Sequence, residues 1–396
     1  MRGIVLALVM MVAACSTSSS PTAQASQLAH SAPSPTALSG DLPVWPVNAN
    51  VGTENHPQYT GGFLHFPGGI FQRDPRAEMM EECLVFNGVC SFYPRMRTAV
   101  QPHLFGDSWV STYDLAARRW LPVPRSQVSD DGFRYAYREL LPDANPPVVV
   151  GMSRPLAGVR LHLVDLRTGS DRVVYSDNGT LLYNIAGLAQ QYVFMTSCDA
   201  NREEGCWGRL WRMDTATGEL TKVSDRQGWW VIGGGGGWTV TCSAPHYAPG
   251  DTRVPPPDTC FWGLPENQPD LLLRVDLLTG AEETWSRMPG VALVGIGGDG
   301  LPLIKLNGAG VSVLLRVSAP GQTERLFSVP LDRLNPGAGV EGPVVADRNG
   351  IWLSVIDRGP QPHALSPAIA EGVYLLTKSS GRKVSDFRGM AVGPLN

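Results

Sequence analysis

Six cysteines stand in three close pairs: Cys83 with Cys90, Cys198 with Cys206, and Cys242 with Cys260. Thiols at such spacing either close disulfide loops or hold zinc. The zinc reading fails, because the chain has no Cys-x-x-Cys and no histidine pair at ligand spacing. The seven histidines, at 30, 56, 65, 103, 162, 246 and 363, are scattered. His162 sits in an alternating stretch and reads as a packed strand histidine rather than a ligand. No metal and no cofactor is expected. Polar and aromatic residues crowd around the second and third cysteine pairs. Asp199, Arg202, Glu203, Glu204 and Trp207 surround one; His246, Tyr247, Asp251, Arg253, Asp258 and Trp262 lie within or beside the other. These are the candidate binding contacts, because ordered loops on a rigid scaffold are where binding usually resides.

Tests for catalytic motifs mostly fail. There is no Gly-x-Ser-x-Gly elbow. Gly106-Asp107-Ser108 resembles the Gly-Asp-Ser block of one lipase and esterase family, but the Asp-x-x-His which that family needs is missing. Gly233 to Gly237 is followed by neither Lys-Ser/Thr nor a helix, so it is no phosphate loop. Ser129-Asp130-Asp131-Gly132 and Ser176-Asp177-Asn178-Gly179 resemble sialidase Asp boxes with the Ser-to-Asp spacing one residue short. Glu78, Glu81 and Glu82 beside Arg73, Asp74 and Arg76 read as a solvated, mixed-charge face. No catalytic residue is assigned.

The first residues carry an address. Met1-Arg2-Gly3 precedes an apolar run from Ile4 to Ala14 and then Cys15. One positive charge and a short apolar run make a secretory signal too short to span a bilayer. Val12-Ala13-Ala14-Cys15 resembles the lipobox of bacterial lipoproteins. That resemblance implies cleavage before Cys15, acylation of Cys15, and a lipid-anchored protein on the extracytoplasmic face of the cell membrane. Residues 1–14 are thus the signal and 15–43 a lipidated tether rich in Ser, Pro, Thr and Ala. The tether's composition gives nothing to bury. Residues 44–396 form the folded domain, beginning near Trp45. Export favours oxidation, so the expected disulfides are Cys83–Cys90, Cys198–Cys206 and Cys242–Cys260.

The elements that must position these groups come from a repeat. Leu163-Val164-Asp165-Leu166-Arg167-Thr168-Gly169 returns as Arg212-Met213-Asp214-Thr215-Ala216-Thr217-Gly218 and as Arg274-Val275-Asp276-Leu277-Leu278-Thr279-Gly280. Weaker copies begin at Thr112, Arg316 and Leu375. A strand runs into Asp, whose carboxylate accepts a backbone N–H two residues on, and Gly then supplies positive φ. Before each hairpin comes a strand pair bent at Gly, as at Gly132, Gly300 and Gly350. Four-stranded units recurring at roughly 50 residues predict an all-β chain, a β-propeller of antiparallel blades. Six blades are expected, with seven as the alternative because Trp45–Ala99 is poorly patterned. A strand at Met390–Pro394 closes the ring onto the blade begun at Gly61. Ala77–Cys83 reads as one or two helical turns at most. The hairpin phrase resembles the third-to-fourth-strand turn of the TolB-like, tryptophan-aspartate-repeat and pyrroloquinoline-type propellers over about residues 60–395, without any one family's full signature. Such folds host enzymes and scaffolds alike.

Composition agrees with this. The chain is 43% apolar and only 17% charged, with 44 Gly and 33 Pro, a profile of turns and strands rather than helices. A net charge of −4 excludes the basic field that nucleic acid needs. In such a meander all three cysteine pairs, and the insertions Arg138–Gly158 and Asp357–Gly372, fall between second and third strands, hence at one end of the blades. That end is expected to be the working surface of a monomeric binding or scaffold module for an envelope protein or glycan, held to the membrane by its lipid. The alternative is an exported lactonase- or glycosidase-type hydrolase with acidic residues at the channel mouth. Trp229-Trp230, at a blade start, is placed to line the channel.

Overall fold

The structure is a computed structural model. It describes residues 44–50, 59–65, 68–86, 89–96, 111–114, 117–142, 156–177, 181–199, 208–241, 270–308, 311–330, 339–347, 350–356, 372–377, 381–387 and 389–391. All belong to one unit, Pro33–Asn396.

Antiparallel strands follow one another along the whole described chain. β1 (Val44–Asn50), β2 (Tyr59–His65) and β3 (Ile70–Phe86) pair in sequence. β3 serves two partners: Ile70 to Glu78 faces β2, and Met79 to Phe86 faces β4 (Val89–Met96). The short strands β5 (Thr112–Asp114) and β6 (Arg119–Leu121) form a hairpin. Val128 bridges Tyr135 of β7 (Arg134–Pro142), which continues through β8 (Leu156–Asp165) and β9 (Ser170–Asp177). Next come β10 (Leu181–Ala189), β11 (Tyr192–Asp199), β12 (Gly208–Asp214) and β13 (Leu220–Gly233). β13 also serves two partners, pairing with β12 in its first part and, from Trp229, with β14 (Gly236–Thr241). β15 (Leu271–Val275) and β16 (Glu282–Arg287) complete that sheet. Two separate four-stranded meanders follow. One is β17 (Val291–Ile296), β18 (Pro302–Gly308), β19 (Val311–Ala319) and β20 (Gln322–Pro330). The other is β21 (Gly339–Asp347), β22 (Gly350–Ile356), β23 (Gly372–Leu376) and β24 (Gly381–Ser385). Finally β25 (Met390–Ala391) pairs with β1, Ala391 opposite Val47. Meander after meander, with the last strand bonded to the first, is the strand order of a β-propeller.

The hairpin phrase does what its residues dictate. Asp165 Oδ1 accepts the N–H of Arg167 (2.8 Å), Asp214 Oδ1 that of Ala216 (2.7 Å) and Asp276 Oδ1 that of Leu278 (3.0 Å). Gly169, Gly218 and Gly280 follow at φ of 72°, 73° and 75°, a region where a Cβ is strained. These backbone N–H bonds hold the Asp214 and Asp276 carboxyls below the usual carboxylate range. The aspartates are turn-makers, as expected from the phrase.

Between consecutive four-stranded meanders, and within the seven-stranded sheet between its two halves, lies an apolar wedge. Ala136, Val159, Leu161 and Leu163 meet Leu188, Val193, Met195 and Met213. Phe194 and Leu210 meet Trp230 and Val275. Trp238, Val240 and Leu272 meet Val291, Ile304 and Val317. Leu303, Leu314 and Val329 meet Val340, Leu353 and Val355. Each such side chain, fully buried, contributes about 1.5–3 kcal/mol.

Three expectations need correction. Ala77–Cys83 is strand, part of β3, because its backbone pairs with β2 and β4 instead of coiling. The insertion read as Arg138–Gly158 is shorter, since β7 runs to Pro142 and β8 starts at Leu156. The strands between Val44 and Leu121, read as one unit from Gly61, fall into the five-stranded sheet β25-β1-β2-β3-β4 and the separate pair β5–β6.

Candidate functional site

In a four-stranded meander the first and third connections share one end of the sheet and the second lies at the other. Tight turns, including the Asp-x-x-Thr-Gly hairpins, occupy the first end. There neighbouring meanders clasp each other: Arg134 Nη2–H donates to Gln190 O (3.0 Å), and, between the two halves of the seven-stranded sheet, Arg212 Nη1–H donates to Leu277 O (3.0 Å). From the opposite end leave the connections 143–155, 200–207, 242–270 and 357–371.

Those connections carry the residues expected to work around the second and third cysteine pairs. The first pair departs from the expectation that all three share one end: Cys83 and Cys90 lie on β3 and β4, either side of the two-residue connection that joins these strands. Cys15, Arg202, Glu203, Glu204, Cys206, Trp207, Cys242, His246, Tyr247, Asp251, Arg253, Asp258, Cys260 and Trp262 lie outside the described residues, as do the side chains of Cys83, Cys90, Cys198 and Asp199. The backbone places Cys83 opposite Phe92, Cys90 opposite Val85, and Asp199, the last residue of β11, opposite Leu181. Trp229 is 56% exposed, whereas Trp230 is buried and its Nε1–H donates to Gly208 O (3.0 Å).

Two polar clusters are fully drawn. The first lies on one face of β7, β8 and β9. Tyr137 and Glu139 alternate on β7, Arg160 and His162 on β8, and Asp171 comes from β9. His162 Nδ1 is 2.9 Å from Asp171 Oδ1, and Nε2 is 3.1 Å from Glu139 Oε2. Arg160 Nη1 is 3.4 Å from the same Glu139 oxygen. Tyr137 stacks on the imidazole (4.5 Å, 18°) and its hydroxyl donates to Asp171 Oδ2 at 2.7 Å. Burial first, then the Asp171 carboxylate, push the Tyr137 phenol far above its ordinary range, so it stays a donor. His162 is therefore a packed strand histidine, as expected. Its carboxylate partners were missed. The signal was there as polar residues at i and i+2 on both strands, Tyr137 and Glu139 on β7 and Arg160 and His162 on β8, the spacing that puts them on one face.

The second cluster corrects the solvated face assigned to Arg73–Glu82. Arg73 does pair with Glu78 in the open (2.6 Å), but Asp74 is only 7% exposed. It accepts from Arg76 Nη2–H (2.6 Å), from the Arg76 backbone N–H (3.0 Å) and from Trp120 Nε1–H (2.9 Å). Burial works to raise this carboxyl; the Arg76 and Trp120 hydrogen bonds outweigh it and hold the group below the usual range. Gly61 permits the approach, since a Cβ there would lie 2.5 Å from Ala77 Cβ and 2.8 Å from the Trp120 ring.

In both clusters the charged groups pair with one another between strands. Among the described residues no three His, Cys, Asp or Glu side chains are grouped to hold a metal.

Compared with known families and with curated proteins, the chain matches none. Solved structures resemble it distantly. An oligogalacturonate lyase from Vibrio parahaemolyticus is 10% identical over 78% of this chain and 87% of its own, with a TM-score of 0.42. The tricorn protease is 11% identical over 87% of this chain and 26% of its own, with a TM-score of 0.41. TolB from Acinetobacter baumannii is 11% identical over 73% of this chain and 63% of its own, with a TM-score of 0.33. These proteins share no single activity, and the propeller assignment stands on the strand pairing given above.

Proposed function

We propose that this chain is a lipid-anchored, extracytoplasmic propeller of seven blades that binds an envelope protein or glycan through the end of its sheets carrying the long connections. What supports seven over six is that β3 serves two partners as β13 does, so that its second half and β4, together with the pair β5–β6, make up one further blade in this reading. The observation that carries the functional reading is the asymmetry of the sheet ends. Tight turns clasped by Arg134 and Arg212 close one end, and every long connection leaves from the other. Loops on a rigid scaffold are where recognition concentrates. Acyl chains on Cys15 supply durable attachment, and residues 16–43 give a flexible chain of that length a reach on the order of 30 Å.

The test uses the full lipoprotein, solubilised from its native envelope, and its co-purifying partner. Trp207→Ala with Trp262→Ala is expected to lose that partner, while Leu278→Ala, at an exposed hairpin of the opposite end, keeps it. Partner retention by the tryptophan variant, or its loss in the Leu278 variant, would overturn the assignment of the working end. Cys15→Ser is expected to move the protein from the membrane to the soluble fraction.

A further inference from the structure

We propose that the Trp229 indole is the stacking platform for one sugar ring of an envelope glycan, held at the margin of the wedge between β13–β16 and β17–β20. This inference rests on the reading that the end with the long connections is the working end, and it chooses glycan over protein as the ligand.

Strand register sets the indole in place. Trp229 stands opposite Val240, Val240 opposite Leu272, and Leu272 opposite Ser286. Directly opposed residues share a face of the sheet. Val240 and Leu272 are buried against Val291 of the next meander, and Val231, two residues beyond Trp229 and on its face, packs there too. Trp229 faces the same wedge, yet it is the exposed member of its row. Trp230 alternates to the opposite face, joins Phe194 and Leu210, and donates its indole N–H to Gly208 O. One tryptophan of the pair is thus structural, and it fixes the backbone that carries the other.

The reason for the exposure lies in the neighbouring meander. β13 runs toward the tight turn at Gly233–Gly236, so Trp229 is the member of this face nearest the opposite end. Across the wedge, Val291, Leu306 and Val313 form the row nearest that same end, and β18 and β19 are joined there by residues 309–310 alone. Ala309 and Gly310 are too small to reach over an indole. The flanking meanders send out residues 242–270 and 357–371 from the same end.

Isolation selects the ligand. A hot spot for a protein partner sits in a contiguous apolar patch that excludes water. The other exposed large apolar side chains among the described residues are Ile70 and Leu278, beside tight turns, and Val173, on the outer strand β9; none lies at this margin. Among the described residues no hydrogen bond or ring contact engages the Trp229 side chain. A single indole presents a negative π-face that attracts the C–H groups of one pyranose ring, while the hydroxyls of the sugar stay hydrated. A nucleobase could stack as well, but a net charge of −4 offers no field for its phosphates.

The test uses the full lipoprotein, solubilised from its native envelope, and as probe the insoluble glycan of that envelope stripped of protein by protease. The wild type should sediment with the glycan. Trp229→Ala should bind it more weakly by roughly tenfold, the loss of one stacked and buried ring face, while Leu278→Ala binds as the wild type does. Trp229→Phe, which keeps a smaller aromatic face, should fall between, and it carries the test if Trp229→Ala does not fold. Acrylamide quenching of the fluorescence difference between wild type and Trp229→Phe should fall when glycan is bound. Undiminished binding by Trp229→Ala overturns the proposal. So does a wild type that keeps its co-purifying partner but ignores the stripped glycan: that partner is then a protein, and the assignment of the working end stands without the indole platform.

Discussion

Between Val128 and Ser385, the strand meanders meet mainly through apolar wedges; within the region Val44–Leu121 and at its seam with the last sheet, directional contacts stand beside the apolar packing of Leu121. Tyr113 packs edge to face on Phe63 and on Trp120, Phe63 and Trp120 meet at a tilt, with centroids 5.1 to 5.6 Å apart, and the Trp120 indole reaches the carboxylate of Asp74. At the seam with the last sheet, Phe71 stacks on Phe387 at 4.1 Å, Ser385 Oγ–H donates to Gly69 O at 2.8 Å, and Ser354 Oγ–H donates to Gly389 O. Burial of apolar surface is non-directional, so a repeated unit can reuse it at each wedge. The closing units have no repeat to lean on. Hydrogen bonds and ring geometry set their register instead, since such contacts fail when misaligned by an ångström.

The widest gap between the two regions should appear on removing Trp120. Trp120→Ala loses about 3–5 kcal/mol of packing and leaves the buried Asp74 one donor short, about 1–3 kcal/mol more. Leu303→Ala, in an apolar wedge, should cost about 2–5 kcal/mol. Urea unfolding of both variants measures the difference, and equal losses would erase the distinction between the regions.

Asp74→Asn sharpens the same point through pH. The native carboxyl is held below its unfolded value, so its contribution is present above about pH 4 and is lost as the pH falls through the folded value. At pH 7 the variant should be less stable by about 1.5–3 kcal/mol, the worth of bonds to a charged group. The gap should narrow as the pH falls. A gap that is constant from pH 7 to pH 2 would mean that the charge is irrelevant. At the seam, Ser385→Ala leaves the Gly69 carbonyl without this donor and should cost about 1–2 kcal/mol by the same measurement.

What was legible follows the same division. The hairpins at Asp165, Asp214 and Asp276 are written in five residues each, because both the carboxylate bond and the positive φ are local. The meanders from Leu181 to Ser385 could be read from them. Asp74 could not, because its indole partner is 46 residues away and the run Arg73–Glu82 looks solvated until β3 is known to pair on both sides. The strand near Met390 was legible as ring-closing, but β1 as its partner was not. His162 was legible as packed. Its bonds to Glu139 and Asp171 depend on strand register, including the bulge between Leu161 and His162, and no alternation pattern announces a bulge.

The smallest effect belongs to the repeated turns themselves. Asp214→Ala and Asp276→Ala each remove a carboxylate that accepts two backbone N–H groups, from Ala216 and Thr217 in one case and from Leu278 and Thr279 in the other. These turns are exposed, and water can replace the lost acceptor. Each hairpin also keeps its glycine and the Gly N–H bond to the Asp carbonyl, 2.8 Å at Gly218 and 2.9 Å at Gly280. The two single losses should therefore be small and alike, and the double variant should show their sum, because the turns share no partner. Thermal unfolding of the three variants measures this. A double variant well below the sum would show that the turns act as a coupled rim, and the repeated half would then be held, like the closing half, by directional contacts.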